Sequence, residues 1–472
     1  MKRATREARV LDMTTGSPVR LILAFAIPLF IGNIFQQVYS MVDTMVAGYC
    51  LGDAAIAAIG ATSSLYGLIV SLAWGLNSGF ALVITQSFGA HDVRRLKKAI
   101  AGTFLLDMGI AALLTVLAVA FLKPLMRLMN TPEAIMAQAY SYMIVICGGM
   151  LATIAYNMFA SVMRSFGNSR TPLYVLIFCS LVNIGLDLLF VAVFHMGVGG
   201  AALATVIAQA LSGAICGAYV WRNYREYLPG KADFRVEPAM LRELLSTGSA
   251  MAFMYSIVNL GTAVFQGAIN RLGEAVIAAY TAGERIIGML MQPTSTIMDA
   301  SATFVGQNWG AKAYSRIRDG LKRAMVMEVL WGTVACAIVY AVGGSIIRFT
   351  TGTRSAEIVA LAVRHMRVVM PFFPVLGILL VLRTAMQAMG QKLAPVLSSA
   401  LELAMKIVGA AWMIPAMGFG GIGVNIAVTW TIMTIYLALV YLVKSRGRLR
   451  EITLGEEKKP HQPRKEAFAW IS

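Results

Sequence analysis

Apolar runs of twenty residues and more recur along the whole 472-residue chain, separated by short connections rich in glycine and basic residues. Inside hydrocarbon a backbone has no water to bond, so runs of this length are confined to membrane-crossing helices. Six fall near residues 23–47, 55–87, 100–122, 138–163, 172–194 and 200–221, and six more near 247–270, 275–306, 324–347, 366–388, 395–415 and 421–443. Twelve helices of ~20 residues use ~240 positions, which leaves room for short loops. The second and eighth runs are long enough to need tilt or an interfacial turn. With 58% apolar and 13% charged residues the chain is unlike a water-soluble domain. The expected class is an all-α polytopic membrane protein with 12 transmembrane helices. The basic start precedes an apolar run too long for a signal peptide, so no cleaved leader is expected.

The formal charge is 40 − 23 = +17, which in a soluble protein would suggest nucleic acid. Here the basic residues lie between spans and report orientation, so no nucleic-acid partner is expected. Thirty of the 40 lysines and arginines fall on one side, in both tails and around residues 94–98, 164–170, 222–242, 312–323 and Lys392. Seven fall on the other (Lys123, Arg127, Arg271, Arg348, Arg354, Arg364, Arg367), and Arg285, Arg383 and Lys406 sit inside spans. The positive-inside rule places both termini in the cytoplasm, which an even number of spans requires. The five cysteines are scattered at no ligand spacing, which argues against a disulfide framework or a zinc site.

The chain also repeats itself. At a shift of 221, Leu51-Gly52-Asp53-Ala54 meets Leu272-Gly273-Glu274-Ala275, and Gln86-Ser87-Phe88-Gly89-Ala90 meets Gln307-Asn308-Trp309-Gly310-Ala311. Gly167 and Pro172 match Gly390 and Pro395 at 223, and Met196-Gly197 matches Met417-Gly418 at 221 again. Each half holds six spans, so the halves share one orientation and form two pseudo-symmetric six-helix bundles, parallel repeats about an axis along the membrane normal with a cavity between them. The divisions expected are a cytoplasmic segment 1–19, which could lie as a basic amphipathic stretch on the inner leaflet, a first bundle 20–222, a cytoplasmic linker 223–246, a second bundle 247–443 and a solvated tail 444–472. This is transporter architecture. No nucleophile–base set, metal motif or phosphate loop points to an enzyme.

The segment Pro28…Gln36-Gln37…Asp43-Thr44, then Ala58-Ile59-Gly60-Ala61 and Gln86-Ser87-Phe88-Gly89-Ala90, resembles the multidrug and toxic compound extrusion (MATE) family. The echo Val305-Gly306-Gln307-Asn308-Trp309-Gly310-Ala311 and the loop Arg164-Ser165-Phe166-Gly167-Asn168 strengthen the likeness, which covers roughly residues 12–445. It implies a V-shaped pair of bundles in the inner membrane that exports small organic, often cationic, compounds in exchange for Na+ or H+, with no further cofactor; a monomer is expected. In one branch of that family the coupling cation binds in the N-terminal bundle. The matching positions here are Asp43, Asn157, Asn183, Asp187 and Thr205, and the bent first helix of that branch corresponds to Pro28. Another branch uses acids in the seventh and tenth spans; this chain has no acid in its seventh span and Arg383 in its tenth.

Judged physically, Asp43 and Asp187 each cost ~2.5–3.5 kcal/mol on insertion scales, and such residues usually face a cavity or a partner. Asn183 and Asp187 are i and i+4, on one helix face. Asp43, Asp187 and Thr205 fall in the outer half of the membrane, while Asn157 lies deeper and fits less well. Carboxylates, amide oxygens and a hydroxyl suit Na+. Two adjacent carboxylates in a low dielectric would instead take up a proton. Alternatively Asp43 lies at the interface and Asp187 makes a structural hydrogen bond. In the second half, Glu284, Asp299, Glu328, Arg383, Glu402 and Lys406 read most simply as ion pairs between helices, with Glu284 and Arg383 the first candidates for the substrate cavity. Among the 29 methionines, Met251, Met254, Met289 and Met291, with Tyr255, could line a promiscuous pocket, although lipid-facing packing accounts for most. Asp107 has no evident partner, and His91, His195, His365 and His461 read as loop or near-loop residues. The rival reading is a lipid-linked saccharide flippase of the same superfamily, which needs an arginine-rich cavity.

Overall fold

The computed structural model describes residues 11–446. The N-terminal lobe comprises α1 (Pro18–Leu51), α2 (Asp53–Gly89), α3 (Val93–Leu128), α4 (Glu133–Gly148), α5 (Met150–Ser165), α6 (Arg170–Asp187) and α7 (Gly197–Asn223). The C-terminal lobe comprises α8 (Pro238–Ile269), α9 (Glu274–Gly310), α10 (Tyr314–Thr351), α11 (Ala356–Val369), α12 (Phe373–Ala388), α13 (Leu393–Val408) and α14 (Phe419–Val440). Among the described residues ten helical segments are long and apolar enough to cross a membrane, and α4 with α5, bent by 47°, form an eleventh span. The twelfth long helix is α9, which carries Glu284, Arg285 and Asp299 along its 37 residues. The second and eighth spans, α2 and α9, are each one uninterrupted helix.

Several helices extend past the apolar runs. α3 begins at Val93, capped by Asp92, whose side chain accepts from the Arg95 amide at 2.9 Å. α8 begins with Pro238 at its first position, inside the stretch expected to be linker, because proline's fixed φ and missing N–H suit a helix start. α11 begins at Ala356, ten residues before the apolar run, so His365 is a buried helical residue and not a loop one. Residues 1–10 and 447–472 are outside the described part, and with them most of the expected basic N-terminal stretch and nearly all of the tail.

The repeat is visible in the backbone. α2 and α9 start and end 221 residues apart. The left-handed turns recur as well: His91 and Lys312 have φ 55° and 57°, and Gly167 and Gly390 have 79° and 78°. At the latter pair only glycine adopts the turn without strain. α6 and α13 each run into a π-helical segment, Leu188–Val193 and Gly409–Met413.

The lobes meet most closely along α2 and α8. A Cβ on Gly75 would stand 2.7 Å from Ala252 Cα, and one on Gly79 would run into the backbone of Gly248. Small residues let two membrane helices touch backbone to backbone. At the end of the bundle that carries both chain termini the seam is sealed twice by the same bond. Gln86 Nε2 donates to the Ala388 carbonyl at 2.8 Å, and Gln307 Nε2 donates to the Ser165 carbonyl at 2.9 Å. A Cβ on Gly89 would collide with the Gln307 backbone, and one on Gly310 with that of Gln86. Gln307 Oε1 also accepts from the amide of fully buried Met13 at 2.9 Å, while Asn308 and Arg316 donate to the Met13 carbonyl at 3.0 and 3.2 Å. The segment before α1 is thus tied across the seam onto the other lobe.

Candidate functional site

Two polar regions lie within the apolar bundle. The first is in the N-terminal lobe, where α1 brings Asp43 against Asp187, the last α-helical residue of α6 before its π segment. Such π turns inside helices are frequent at functional sites because they re-aim side chains. The two carboxyl groups stand within hydrogen-bonding reach of each other. Asn183, one turn before Asp187, is 1% exposed. Asp43 Oδ1, both Asp187 oxygens and both polar atoms of the Asn183 amide are buried with no hydrogen-bond partner among the described residues. Buried polar groups are normally bonded, so five unpaired atoms in one place set this cluster apart from the apolar packing around it.

Three tyrosines, Tyr39, Tyr66 and Tyr142, lie near enough to feel the Asp43 charge. The Tyr39 hydroxyl is within hydrogen-bonding reach of Thr205, which itself donates to the Ala201 carbonyl at 3.1 Å. Of the residues expected at the cation site, Asp43, Asn183, Asp187 and Thr205 therefore come together. Asn157 does not; it donates to the Thr153 carbonyl at 2.9 Å and lines the second region instead. The tyrosines went unread in the sequence, although Tyr39 stands four residues before Asp43 and so shares its helix face.

The second region is a cavity of about 480 Å³ between the lobes, a size suited to a drug-sized ligand. Pro28, inside α1, is part of its wall. Aromatic surface comes from Trp74 and Tyr255, which meet edge to face across the seam with ring centres 5.3 Å apart. Met150, Met251 and Met298 add flexible thioether surface, and Asn33, Gln36, Asn77, Gln209 and Gln387 supply amides. The charged residues on this wall are Asp299 of α9 and Arg164 of α5, near enough for the arginine's charge to act on the carboxylate. Neither was read as cavity-lining in the sequence, because helix rotation decides which face of α5 and α9 turns inward.

Of the side chains expected to line the cavity, Met251 and Tyr255 do so, and Glu284, Arg383, Met254, Met289 and Met291 do not. Glu284 bonds His365 Nε2 at 3.1 Å within the C-terminal lobe. Arg383 is 6% exposed, donates to Ser398 at 3.1 Å and faces Glu402 at 3.5 Å, and Lys406 holds the other Glu402 oxygen at 3.0 Å. Met254 lies behind the wall, its sulfur accepting from Gln387 at 3.2 Å, and Met289 is exposed on the outside of the bundle. For Glu284 and Arg383 the cause is the same: each is held by a polar partner within its own lobe.

The sequence profile of the MatE family matches residues 28–189 and 250–412, one copy in each lobe. A probable multidrug resistance protein of Bacillus subtilis, YpnP, is 23% identical over 452 residues, which span 95% of this chain and 99% of that protein. An FAD transporter of Shewanella oneidensis is 24% identical over 321 residues, 67% of this chain and 70% of its own. Among solved structures, a multidrug resistance MATE family transporter in an outward-facing conformation superimposes with a TM-score of 0.84 at 19% identity, covering 94% of this chain and 98% of the other.

Proposed function

The chain belongs to the MatE family, and from that premise we propose that it exports organic compounds through the cavity between its lobes in exchange for a monovalent cation, Na+ or H+, taken up at Asp43, Asn183 and Asp187. The observation that carries this reading is the orphaned cluster itself. Two carboxyls within bonding reach of each other, with an unsatisfied amide beside them, cannot both stay charged in a low dielectric without a proton or a cation between them. Exchange then needs only that cation and substrate favour opposite states of the lobes or compete for one state.

Read with the basic residues inside, the doubly sealed seam lies on the cytoplasmic face, both termini are cytoplasmic, and the cavity opens outward. The likeness to an outward-facing relative supports that assignment. For substrate, the aromatic and thioether wall with a single acid, Asp299, suits amphipathic compounds carrying a positive group. One arginine on that wall is too few for a lipid pyrophosphate, which disfavours the flippase reading. The relative named as an FAD transporter makes a flavin nucleotide the anionic control compound.

The test is ethidium efflux from cells expressing the chain under an imposed sodium or proton gradient. Efflux driven by one of the two gradients, and lost in Asp43→Asn and Asp187→Asn while the protein stays in the membrane, is the expected result. Efflux that survives both substitutions would remove the coupling role from this cluster.

A further inference from the structure

A second buried acid lies outside that cluster. Asp107, on α3, is 1% exposed and sits on the far side of the cavity wall from the substrate. Its Oδ1 accepts from Asn77 Nδ2 of α2 at 3.0 Å, and Asn77 is part of the wall. Its Oδ2 accepts nothing, and neither does the Asn77 carbonyl oxygen or the hydroxyl of Thr103, one turn earlier on the same face of α3. The ion pairs among the described residues join Arg95 to Glu243, Lys98 to Glu237, His365 to Glu284, and both Arg383 and Lys406 to Glu402, so none reaches this acid.

The elements packed on α3 bring no ion-pair partner to the acid; the short turns Arg225–Tyr227 and Lys231–Phe234 also pack on α3 and carry Arg225, Glu226, Lys231 and Asp233, none of which forms an ion pair with it. α2 presents Asn77; α5 presents Met150 and Ile154 against Ala111, one turn beyond the acid; α8 presents Leu244 against Gly102; and α4 presents Cys147, whose carbonyl accepts from Thr115 two turns outward. Cys147 is one titratable group in that set, and Tyr156 of α5 packs on the same apolar cluster as Leu106 and Ile110, which flank the acid.

We propose that Asp107, with Asn77, forms a proton-binding site behind the wall of the central cavity, separate from the Asp43/Asp187 cluster. The donor and acceptor inventory carries the argument. An ionised carboxylate only accepts, and a primary amide's oxygen only accepts, so the site as built holds an excess of acceptors over donors. One proton on Asp107 Oδ2 forms a single O–H bond and removes the buried negative charge, turning an unpaired acceptor into a donor. Ca2+ or Mg2+ would need about six oxygens, which the apolar neighbours do not supply, and no group of three or more His, Cys, Asp or Glu gathers among the described residues. The second lobe repeats the buried acid but not its neighbours: Glu328, 221 residues further on, is 1% exposed with both oxygens unbonded, while Met298 and Ala324 stand where the first lobe has Asn77 and Thr103.

Through Asn77 the site adjoins the substrate cavity, so in a transport cycle it would respond to what the cavity holds; that consequence rests on the proposed antiport, while proton binding does not. The test is infrared difference spectroscopy of the purified protein at neutral pH. Wild type minus Asp107→Asn should show the C=O band of a protonated carboxyl. The band should persist in the Asp43→Asn/Asp187→Asn double variant and shift in Asn77→Ala, which alters hydrogen bonding at the same group and keeps the test open should Asp107→Asn not fold. Carboxyl bands unchanged by Asp107→Asn, or by Asn77→Ala where that is the variant obtained, would overturn the site whatever the transport result.

Discussion

In the N-terminal lobe Asp43, Asn183 and Asp187 present five buried polar atoms with no partner, whereas in the C-terminal lobe Glu402 is held from both sides by Arg383 and Lys406. The repeat makes these two places comparable. Lys406 stands 223 residues after Asn183, in the register where α13 repeats α6, and Val264 and Ala410 stand where the first lobe has Asp43 and Asp187. The second lobe thus carries a covalent ammonium, bonded to Glu402 and to Thr262 at 2.9 Å, at the position where the first lobe has an unfilled amide. The second lobe holds a permanent cation among its buried polar groups, and the first holds two acids and an amide without a partner among the described residues. A buried charge with a built-in counterion serves structure, and one without it depends on what binds.

The sharpest way to break this contrast is to neutralise a carboxylate in each lobe. Glu402→Gln leaves Arg383 and Lys406 buried together without their anion and should lower stability by ~3–5 kcal/mol, the usual cost of orphaning a buried charge, seen as a lower thermal midpoint in detergent. Asp43→Asn should leave that midpoint equal or raise it, because it removes one of two repelling carboxylates, while gradient-driven efflux falls. Loss of a coupling free energy of ~1–3 kcal/mol corresponds to roughly 5–150-fold in the exchange constant. A destabilised Asp43→Asn protein, or a stable Glu402→Gln one, would erase the distinction between the lobes.

A smaller effect tests whether the seam treats the lobes alike. Gln307→Ala removes bonds to Ser165 and to Met13, and Gln86→Ala only the bond to Ala388. At about 1 kcal/mol per bond, Gln307→Ala should open the seam more often. A thiol introduced as Ser165→Cys would then react faster with an impermeant reagent from the side of the termini. Equal rates in both variants would mean that the tie to Met13 adds nothing.

The smallest effect belongs to the surface. The Lys98 ammonium beside Glu237, reinforced by its hydrogen bond, holds that carboxyl below the ordinary carboxylate range. A lowered folded-state value means that the pair's contribution is complete above the ordinary range and fades as pH falls through the lowered value. Exposure and salt make that contribution slight, so Lys98→Gln should leave efflux and thermal midpoint unchanged at neutral pH.

How much of this was legible in the sequence follows from which contacts are local. The repeat, the spans and the side of the basic loops are properties of chain order, and Asp43, Asn183 and Asp187 stand out because ionisable and amide groups are costly in hydrocarbon. The partners of Asp107, Glu284 and Arg383 are Asn77, His365 and Glu402, all three on other helices, 30, 81 and 19 residues away. Their meeting depends on helix rotation, which hydropathy does not encode. His365 escaped notice because its helix begins ten residues before the apolar run does, and Asp299 and Arg164 because an isolated charge reads the same whether it faces a cavity or a neighbouring helix.

The most direct measurement is cation displacement from the purified protein on addition of a transported compound, read as a pH change in weak buffer and in parallel as release of bound radiosodium. Wild type should release one of the two ions, Asp43→Asn and Asp187→Asn should release neither, and Glu284→Gln should behave as wild type. Release that persists in both aspartate variants and disappears in Glu284→Gln would place the coupling ion in the C-terminal lobe and contradict the account.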